Sequence, residues 1–160
     1  MRVFDASSIV YGWDNYPIQQ FPALWEWIAG QTGGGEAVIS RVAFDEVTHV
    51  APECANWLRD NNIERLDITN EVVQNAMQIK SDLGILNDGY HSEGVDENDL
   101  LIIATAKVEG AELISDERRQ TSLPRNIKRF KIPAVCNMSK VAISCINFVD
   151  YIKQSNRVFG

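Results

Sequence analysis

Residues 1–10, MRVFDASSIV, constrain the fold most, because a short apolar run ends there on an acid and leads into a helix. Arg2-Val3-Phe4 predicts a buried strand, and Asp5 follows it directly. In open α/β sheets, ligands bind in the crevice outside the carboxyl ends of the strands, so Asp5 is a candidate site residue. Asp is also a favoured helix N-cap, and this segment alone leaves both roles open.

The rest of the chain alternates short apolar segments with amphipathic ones. Further strands are predicted at 37–39, 64–68, 112–115 and 132–135. Helices are predicted from Ala6 to about residue 11 and over 21–28, 41–50, 53–59, 69–83, 97–109 and 146–153. Residues 84–94, rich in Gly, Asn, Asp and Ser, predict a mobile loop. Strands that alternate with helices across short connections indicate an α/β fold, with a parallel β-sheet sandwiched by helices.

Some expectations within this pattern concern single side chains. The residues expected to cap the helices that follow them are Ser40, Thr69 and Asp96. Within 41–50, Val42, Val47 and Val50 are expected to face the sheet. The 160 residues are most simply one domain, 1–160, which is long enough to bury a full core.

Composition excludes several classes of protein. Hydrophobic residues make up 45% of the chain, which is typical of a globular protein and not of a disordered one. No apolar run approaches the length of a membrane helix, and Asp5 and Asp14 interrupt any signal-peptide core. Three cysteines without metal-type spacing favour free thiols in the cytoplasm. His49 and His91 are isolated, which argues against a zinc site.

Charge is distributed unevenly along the chain. Residues 1–117 hold 6 Lys or Arg and 21 Asp or Glu, a net charge of −15, whereas residues 118–160 hold 9 and 1, a net charge of +8. Six of those nine bases lie within residues 118–131, which we call the basic segment. It is a candidate phosphate-binding patch, in which the residues singled out are Arg118, Arg119, Lys128 and Arg129. Alternatively, it is a solvated face or packs against the chain's own acidic part.

Four carboxylates are expected at one edge of the sheet. Asp5 and Asp116 end strands, while Glu46 and Asp99 lie near the beginnings of helices. Each has an ordinary explanation alone, such as helix capping or solvation, but four together are harder to dismiss. Converging carboxylates stay ionised together around a cation, and hard oxygen ligands select Mg²⁺ or Mn²⁺. Such a site suits a phosphate-bearing substrate.

These residues resemble a known family. Asp5-x-Ser7 after the first strand, Glu46 on a helix, Asn98-Asp99-Leu-Leu-Ile-Ile-Ala-Thr-Ala, and Leu-Ile-Ser-Asp116 are together similar to a PIN domain. That family comprises metal-dependent ribonucleases, including VapC-type toxins of bacterial toxin–antitoxin pairs. The opening DASSIV, the segment FPALWEWI and the tail IPAVCNMSKVAISCINFVDYI resemble a prokaryotic PIN-like subfamily with little assigned function. Ala6 departs from the family, which usually has Thr there, while Ser7 keeps the next polar position.

The resemblance implies a three-layer PIN-like fold and a divalent-metal-dependent endoribonuclease that hydrolyses phosphodiester bonds. Asp5 would be the central ligand of Mg²⁺ or Mn²⁺, shared with Asp99 and Asp116, and Glu46 would complete the ring or orient water. Asp96 and Glu117 would support these ligands from behind or have no role. Ser7 would hold a carboxylate or a phosphate. The basic segment would contact the backbone of single-stranded or looped RNA.

The resemblance also implies partners. A toxin would be held inactive by a cognate antitoxin, which could occupy a groove near the aromatic residues Trp13, Tyr16 and Trp57. These residues could equally belong to the core or to a homodimer face. No membrane association is expected.

Two rival functions remain. A haloacid-dehalogenase-type phosphatase also begins with a strand-end Asp, but it needs a second Asp two residues later, where this chain has Ser7. A catalytically silent PIN-like binding or scaffold module is the other alternative. Divalent-ion affinity that disappears in Asp99→Asn would separate the scaffold from the enzyme.

Overall fold

The computed structural model describes all 160 residues. One sheet contains five short strands in the order β3-β2-β1-β4-β5, and every neighbouring pair is parallel. The strands are β1 (Arg2–Phe4), β2 (Ala37–Ser40), β3 (Glu64–Leu66), β4 (Glu112–Ile114) and β5 (Cys145–Ile146). The helices are α1 (Ala6–Asn15), α2 (Pro22–Gly33), α3 (Arg41–Val50), α4 (Pro52–Asp60), α5 (Asn70–Asp82), α6 (Glu97–Glu109), α7 (Ile132–Cys136) and α8 (Phe148–Gln154). The predicted fold class, a three-layer α/β fold, is confirmed.

The central position of β1 places Asp5 in the middle of the carboxyl edge of the sheet. Phe4 pairs with Ile39 of β2 on one side and with Ile114 of β4 on the other. The Asp5 N–H donates to the Ile114 carbonyl oxygen at 2.8 Å, which extends this pairing by one residue. The residues that follow β1, β2 and β4 therefore lie side by side.

An aromatic cluster joins α1, α2, α4 and α8. Trp25 is buried, and the rings of Trp13 and Trp57 pack against it edge to face, with centroids 5.3 and 4.9 Å away. Trp13, Tyr16 and Trp57 are all half-buried. These contacts make them part of the core, which was one of the three roles that the sequence left open for them.

Gly12 on α1 permits α8 to pack closely. A Cβ atom added at Gly12 would lie 2.4 Å from the Cζ atom of the Phe148 ring, which is closer than two carbon atoms can approach. Phe148 is the first residue of α8 and is fully buried. The close approach therefore determines where the N-terminus of α8 lies relative to β1 and α1.

The helix signals in the sequence are confirmed where capping residues are strong. Ser40 Oγ accepts the Ala43 N–H at 3.1 Å, and Thr69 Oγ1 accepts the Val72 N–H at 3.2 Å. The helices α3 and α6 have the predicted bounds, whereas α1 and α2 extend to Asn15 and Gly33, beyond their predicted ends. All three cysteines are unpaired, as predicted. None of the helices has the length and apolar character needed to cross a membrane.

Three predictions near the sheet were wrong. Residues 132–135 form the beginning of α7 and not a strand, because Pro133 is tolerated in a first helical turn and cannot donate to a strand ladder. The last strand is β5, so α8 begins at Phe148 and not at residue 146. Val50 is 63% exposed at the end of α3, and the buried face of that helix consists of Ala43, Phe44 and Val47.

Candidate active site

Asp5 is a buried carboxylate held by two serine hydroxyls. It occupies the N-cap position of α1, but its side chain makes no capping hydrogen bond. Instead, Asp5 Oδ2 accepts hydrogen bonds from Ser7 Oγ at 2.5 Å and from Ser115 Oγ at 2.8 Å. The residue is only 3% exposed. Helix capping therefore does not account for Asp5, and its carboxylate is built into the sheet edge.

The two serines also connect this carboxylate to the segment after β4. Ser7 Oγ accepts the Asp116 N–H at 2.9 Å, and Ser115 Oγ accepts the Glu117 N–H at 3.2 Å. Each hydroxyl thus donates to Asp5 and accepts from the backbone, so its orientation is determined. Of the two roles predicted for Ser7, holding a carboxylate is the one seen in the structure. Ser115 was not singled out from the sequence, although it immediately precedes a strand-end acid.

Asp99 combines helix capping with a position in the acidic site. Its Oδ2 atom accepts the Asp96 N–H at 3.0 Å, while Asp96 Oδ1 accepts the Asp99 N–H at 2.9 Å, forming a capping box. Burial raises the pKa of Asp99 to about 8, and the charges of Asp96, Asp5 and Glu117 contribute in the same direction. Helix capping, the ordinary explanation for this acid, is therefore correct but incomplete, because the Asp99 carboxylate also interacts with acids from other elements.

Glu46 lies in the second turn of α3 and is half-buried. Burial raises the pKa of Glu46, and the charge of Asp5 raises it further. Three predicted site residues from three separate elements, Asp5, Glu46 and Asp99, are therefore close enough for the charge of Asp5 to act on the other two.

The fourth predicted acid, Asp116, uses one of its carboxylate oxygens to bind the backbone of α8. Its Oδ1 atom accepts the Phe148 N–H at 2.9 Å, at the first turn of α8. Burial raises the pKa of Asp116, and the charge of Asp5 adds to this. The negative charge of the next residue, Glu117, raises the pKa of Asp5, Glu46 and Asp99. Glu117 thus belongs with the group that we call the acidic edge, namely Asp5, Glu46, Asp99, Asp116 and Glu117.

No acid of the acidic edge forms an ion pair within the protein, although the charge of Arg119 lowers the pKa of Asp116. The ion pairs of the chain are Arg2–Glu112, Arg41–Asp67, Arg129–Glu93 and Lys140–Asp82, and none includes an acid of the edge. Burial raises the pKa of Asp5, which the two serine hydroxyls partly offset. Unpaired carboxylates that raise one another's pKa are suited to an external cation.

The donor set fits a hard divalent cation in its chemistry, since it consists of carboxylate oxygens supported by hydroxyls. The side-chain orientations do not themselves converge: no group of three or more His, Cys, Asp or Glu is arranged to hold a metal ion. Glu46 and Glu117 have long, half-buried side chains. The residues therefore match Mg²⁺ or Mn²⁺ in type and charge, although their side-chain oxygens do not converge on one point.

The basic segment begins directly after Glu117. Arg118, Arg119 and Arg129 line a polar cavity of about 770 Å³, which Lys128 does not reach. The Arg119 guanidinium donates to the Cys145 carbonyl oxygen at 2.9 Å, and Arg129 pairs with Glu93 at 2.7 Å. Of the four bases predicted to contact substrate, Arg118 and Lys128 thus have no ion-pair or side-chain hydrogen-bond partner in the protein.

Several solved structures have folds similar to this one. VapBC2 from Rickettsia felis bound to a DNA fragment from their promoter is 17% identical, with a TM-score of 0.54 over 91% of this chain and 97% of that chain. FitAcB from Neisseria gonorrhoeae is 13% identical, with a TM-score of 0.54 over 93% and 99%. A toxin–antitoxin complex from Klebsiella pneumoniae is 17% identical, with a TM-score of 0.50 over 78% and 93%. At these identities the likeness concerns the fold, which is PIN-like.

The sequence family is narrower. Residues 3–159 match the family described as "Domain of unknown function (DUF4411)", and the chain belongs to that family. No curated protein sequence matches it.

Proposed function

We propose that this protein is a divalent-metal-dependent endoribonuclease. The observation that supports this proposal best is the buried Asp5 carboxylate, which two serines hold at the sheet edge beside other unpaired acids. Such an arrangement raises the pKa of its own members, so it destabilises the metal-free protein. A cation-dependent function explains why the chain would retain it.

The ligands proposed for Mg²⁺ or Mn²⁺ are Asp5, Glu46, Asp99 and Asp116. Glu117 is added to this set because its charge acts on three of them. When bound, the metal would supply an activated water and stabilise the charge that develops on the phosphate. Ser7 and Ser115 keep the Asp5 carboxylate in place, as hydroxyls behind metal ligands generally do.

The proposed substrate is single-stranded or looped RNA, whose phosphates are accessible in a cleft. Arg118, Arg119, Lys128 and Arg129 would neutralise the RNA backbone beside the acids. Arg118 is the most available of the four, since it is exposed and unpaired within the cavity of the basic segment.

The test is RNA cleavage by purified protein with Mg²⁺, Mn²⁺ or EDTA, next to Asp99→Asn prepared identically. Metal-dependent cleavage should be lost in Asp99→Asn and retained in Asp88→Asn, which removes one carboxylate from an exposed loop. Equal cleavage by wild type and Asp99→Asn would indicate a contaminant. Absence of cleavage, together with absence of metal-induced thermal stabilisation, would refute the nuclease.

A toxin role in a type II toxin–antitoxin pair is the biological setting that we propose. It is supported by the similar folds, one of which is named as a toxin–antitoxin complex and another as VapBC2. The partner would be a cognate antitoxin, the protein would form a homodimer within such a complex, and the cytoplasm would be the compartment. Growth arrest on expression, relieved by a neighbouring open reading frame, would support the toxin role, whereas harmless expression would contradict it.

A metal-independent scaffold is the second candidate. It is favoured by the side-chain orientations of the acidic edge, none of which form a ready metal site. Calorimetric titration with Mn²⁺ separates the two functions. Binding that disappears in Asp99→Asn supports the nuclease, and absence of binding by wild type supports the scaffold.

A further inference from the structure

A cavity of about 560 Å³ lies directly beside the acidic edge, and the nuclease chemistry does not require it. Ser7 and Glu46 border both the cavity and the edge. The other walls come from α1, α3 and the beginning of α6, and the side chains that matter most are Val10, Val42, Asp45, His49, Val50 and Asn98. Its volume is in the range of small-ligand pockets, roughly 300–1,000 Å³.

We propose that this cavity binds a single guanine base of the RNA, next to the phosphate that is cleaved. This inference rests on the proposed nuclease function and specifies how that enzyme would select its substrate. Single-stranded RNA is commonly recognised through bases that are turned outward, stacked on side chains and hydrogen-bonded along their edges.

The charges around the cavity favour a base over a phosphate. No Lys or Arg lines it, and it contains the Asp45 and Glu46 carboxylates. A phosphate would be repelled there, whereas a neutral base would not. The RNA backbone would instead follow Arg118 and Arg119, which line the separate cavity of the basic segment. The two cavities therefore suit different parts of one nucleotide chain.

The apolar walls suit the faces of a base. Val10 and Val42 are half-buried, and Val50 is 63% exposed, so one side of the cavity is aliphatic and accessible. This exposure was unexpected, because Val50 was predicted to face the sheet. His49 supplies the one aromatic ring of the lining and can stack on a base.

Asp45 determines which base fits. Its side chain is exposed, forms no ion pair and lines the cavity. Guanine presents two adjacent donors, N1–H and the N2 amino group, which match the two oxygens of one carboxylate. Adenine, cytosine and uracil each place an acceptor beside their donor, and a carboxylate repels that acceptor. The Asn98 amide donates to Glu46, and its second N–H can donate to O6 on the guanine edge.

The first experiment measures cleavage and binding of two oligonucleotides that differ by one nucleoside, guanosine or inosine, next to the cleaved phosphate. Inosine lacks the N2 amino group. Wild type should prefer guanine roughly tenfold in kcat/KM and in affinity by fluorescence anisotropy, because one hydrogen bond to a charged acceptor is lost. In Asp45→Asn this preference should disappear, while Asp88→Asn should keep it.

The second experiment tests stacking. His49→Ala should raise KM roughly tenfold with little change in kcat, and His49→Phe should restore KM, because a phenyl ring also stacks. Both residues, Asp45 and His49, are exposed, so these variants should fold normally. Equal cleavage of guanine and inosine substrates by an active wild type would overturn the guanine site and leave the nuclease intact. Guanine preference in binding without any cleavage would support the site and refute the nuclease.

Discussion

The acidic edge and the basic segment are adjacent in the sequence, but their charges differ in solvent exposure as well as in sign. Asp116 and Glu117 end the first, and Arg118 and Arg119 begin the second. The acids are buried or half-buried, and burial is the largest cause of the raised pKa values of Asp5, Asp99 and Asp116. The arginines are exposed, so solvent screens their charge.

The backbone of the basic segment is nevertheless well anchored. Gln120 donates to the Arg129 carbonyl oxygen at 3.0 Å and accepts the Lys131 N–H at 2.9 Å, which closes the segment on itself. The Val95 N–H donates to the Phe130 carbonyl oxygen at 3.2 Å, so the loop before α6 is attached to it. A fixed backbone with solvated cations suits a polyanion, while desolvated acids suit a small cation. The two regions therefore differ in the kind of ion that each one suits, which agrees with the roles proposed for them.

Removing the hydroxyls behind Asp5 should have the largest effect. The double variant Ser7→Ala/Ser115→Ala leaves the buried carboxylate without these two donors, so we expect cleavage to fall by about 10- to 100-fold. Ser8→Ala is the matched control, because Ser8 is buried in the same helix but bonds only the carbonyl oxygens of Asp5 and Ile114. Equal losses in the two proteins would mean that the serines act only through stability. The measurement is kcat/KM for RNA with Mn²⁺.

Disturbing the packing of α8 should loosen the acidic edge without changing an acid. Gly12→Ala would place a methyl group against the Phe148 ring, and overpacking of this kind costs about 1–3 kcal/mol. Chemical denaturation measures the change. Gly30→Ala is the control, since a Cβ there meets no atom within 4 Å. A Gly12→Ala protein as stable as Gly30→Ala would show that α8 can shift freely.

The acidic edge should also make the metal-free protein sensitive to pH. The pKa of Asp99 is about 8 in the folded protein, above its ordinary value of 3.8, so folding favours the protonated form. Stability from this group is complete below about pH 4 and is lost as the pH rises through about 8. In EDTA, we expect the Tm to fall by a few degrees between pH 5.5 and 8.5, and to fall less in Asp99→Asn.

The same pH series with Mn²⁺ sharpens the comparison. Metal competes with protons for the carboxylates, so the rise in Tm on adding Mn²⁺ should increase with pH. A rise in Tm that is independent of pH would indicate that Mn²⁺ binds at another site. A Tm in EDTA that does not fall with pH would mean that solvent screens Asp99 more than its burial indicates.

Neutralising the exposed arginines should have the smallest effect. Arg118→Gln with Arg119→Gln should raise KM a few-fold at low salt, with little change in stability, because surface charges act mainly on the association with a polyanion. The effect should shrink as salt is added. Arg125→Gln is the control, since Arg125 is exposed but does not line the cavity of the basic segment. Equal effects of both changes would indicate general electrostatic attraction and no defined contact.

Local signals in the sequence were sufficient to predict much of the fold. The bounds of α3 and α6 followed from capping residues and apolar periodicity, which act within one or two turns of a helix. Asp5, Glu46 and Asp99 could be placed at one edge because parallel strands present their carboxyl ends together. The sequence failed where a segment was short and apolar, as at residues 132–135, because such a run does not distinguish a strand from a helical turn.

The sequence by itself determined where helices with strong capping residues begin and that Asp5 and Asp116 lie at the ends of strands, since these features depend on neighbours a few positions apart. The tertiary structure alone decided the rest. β5 has only two residues and is defined by its pairing with β4. The hydrogen bond from Ser115 to Asp5 joins residues 110 positions apart, and the charge of Glu117 reaches three acids from other elements. Contacts of this kind depend on how the strands are ordered in space, which no local pattern encodes.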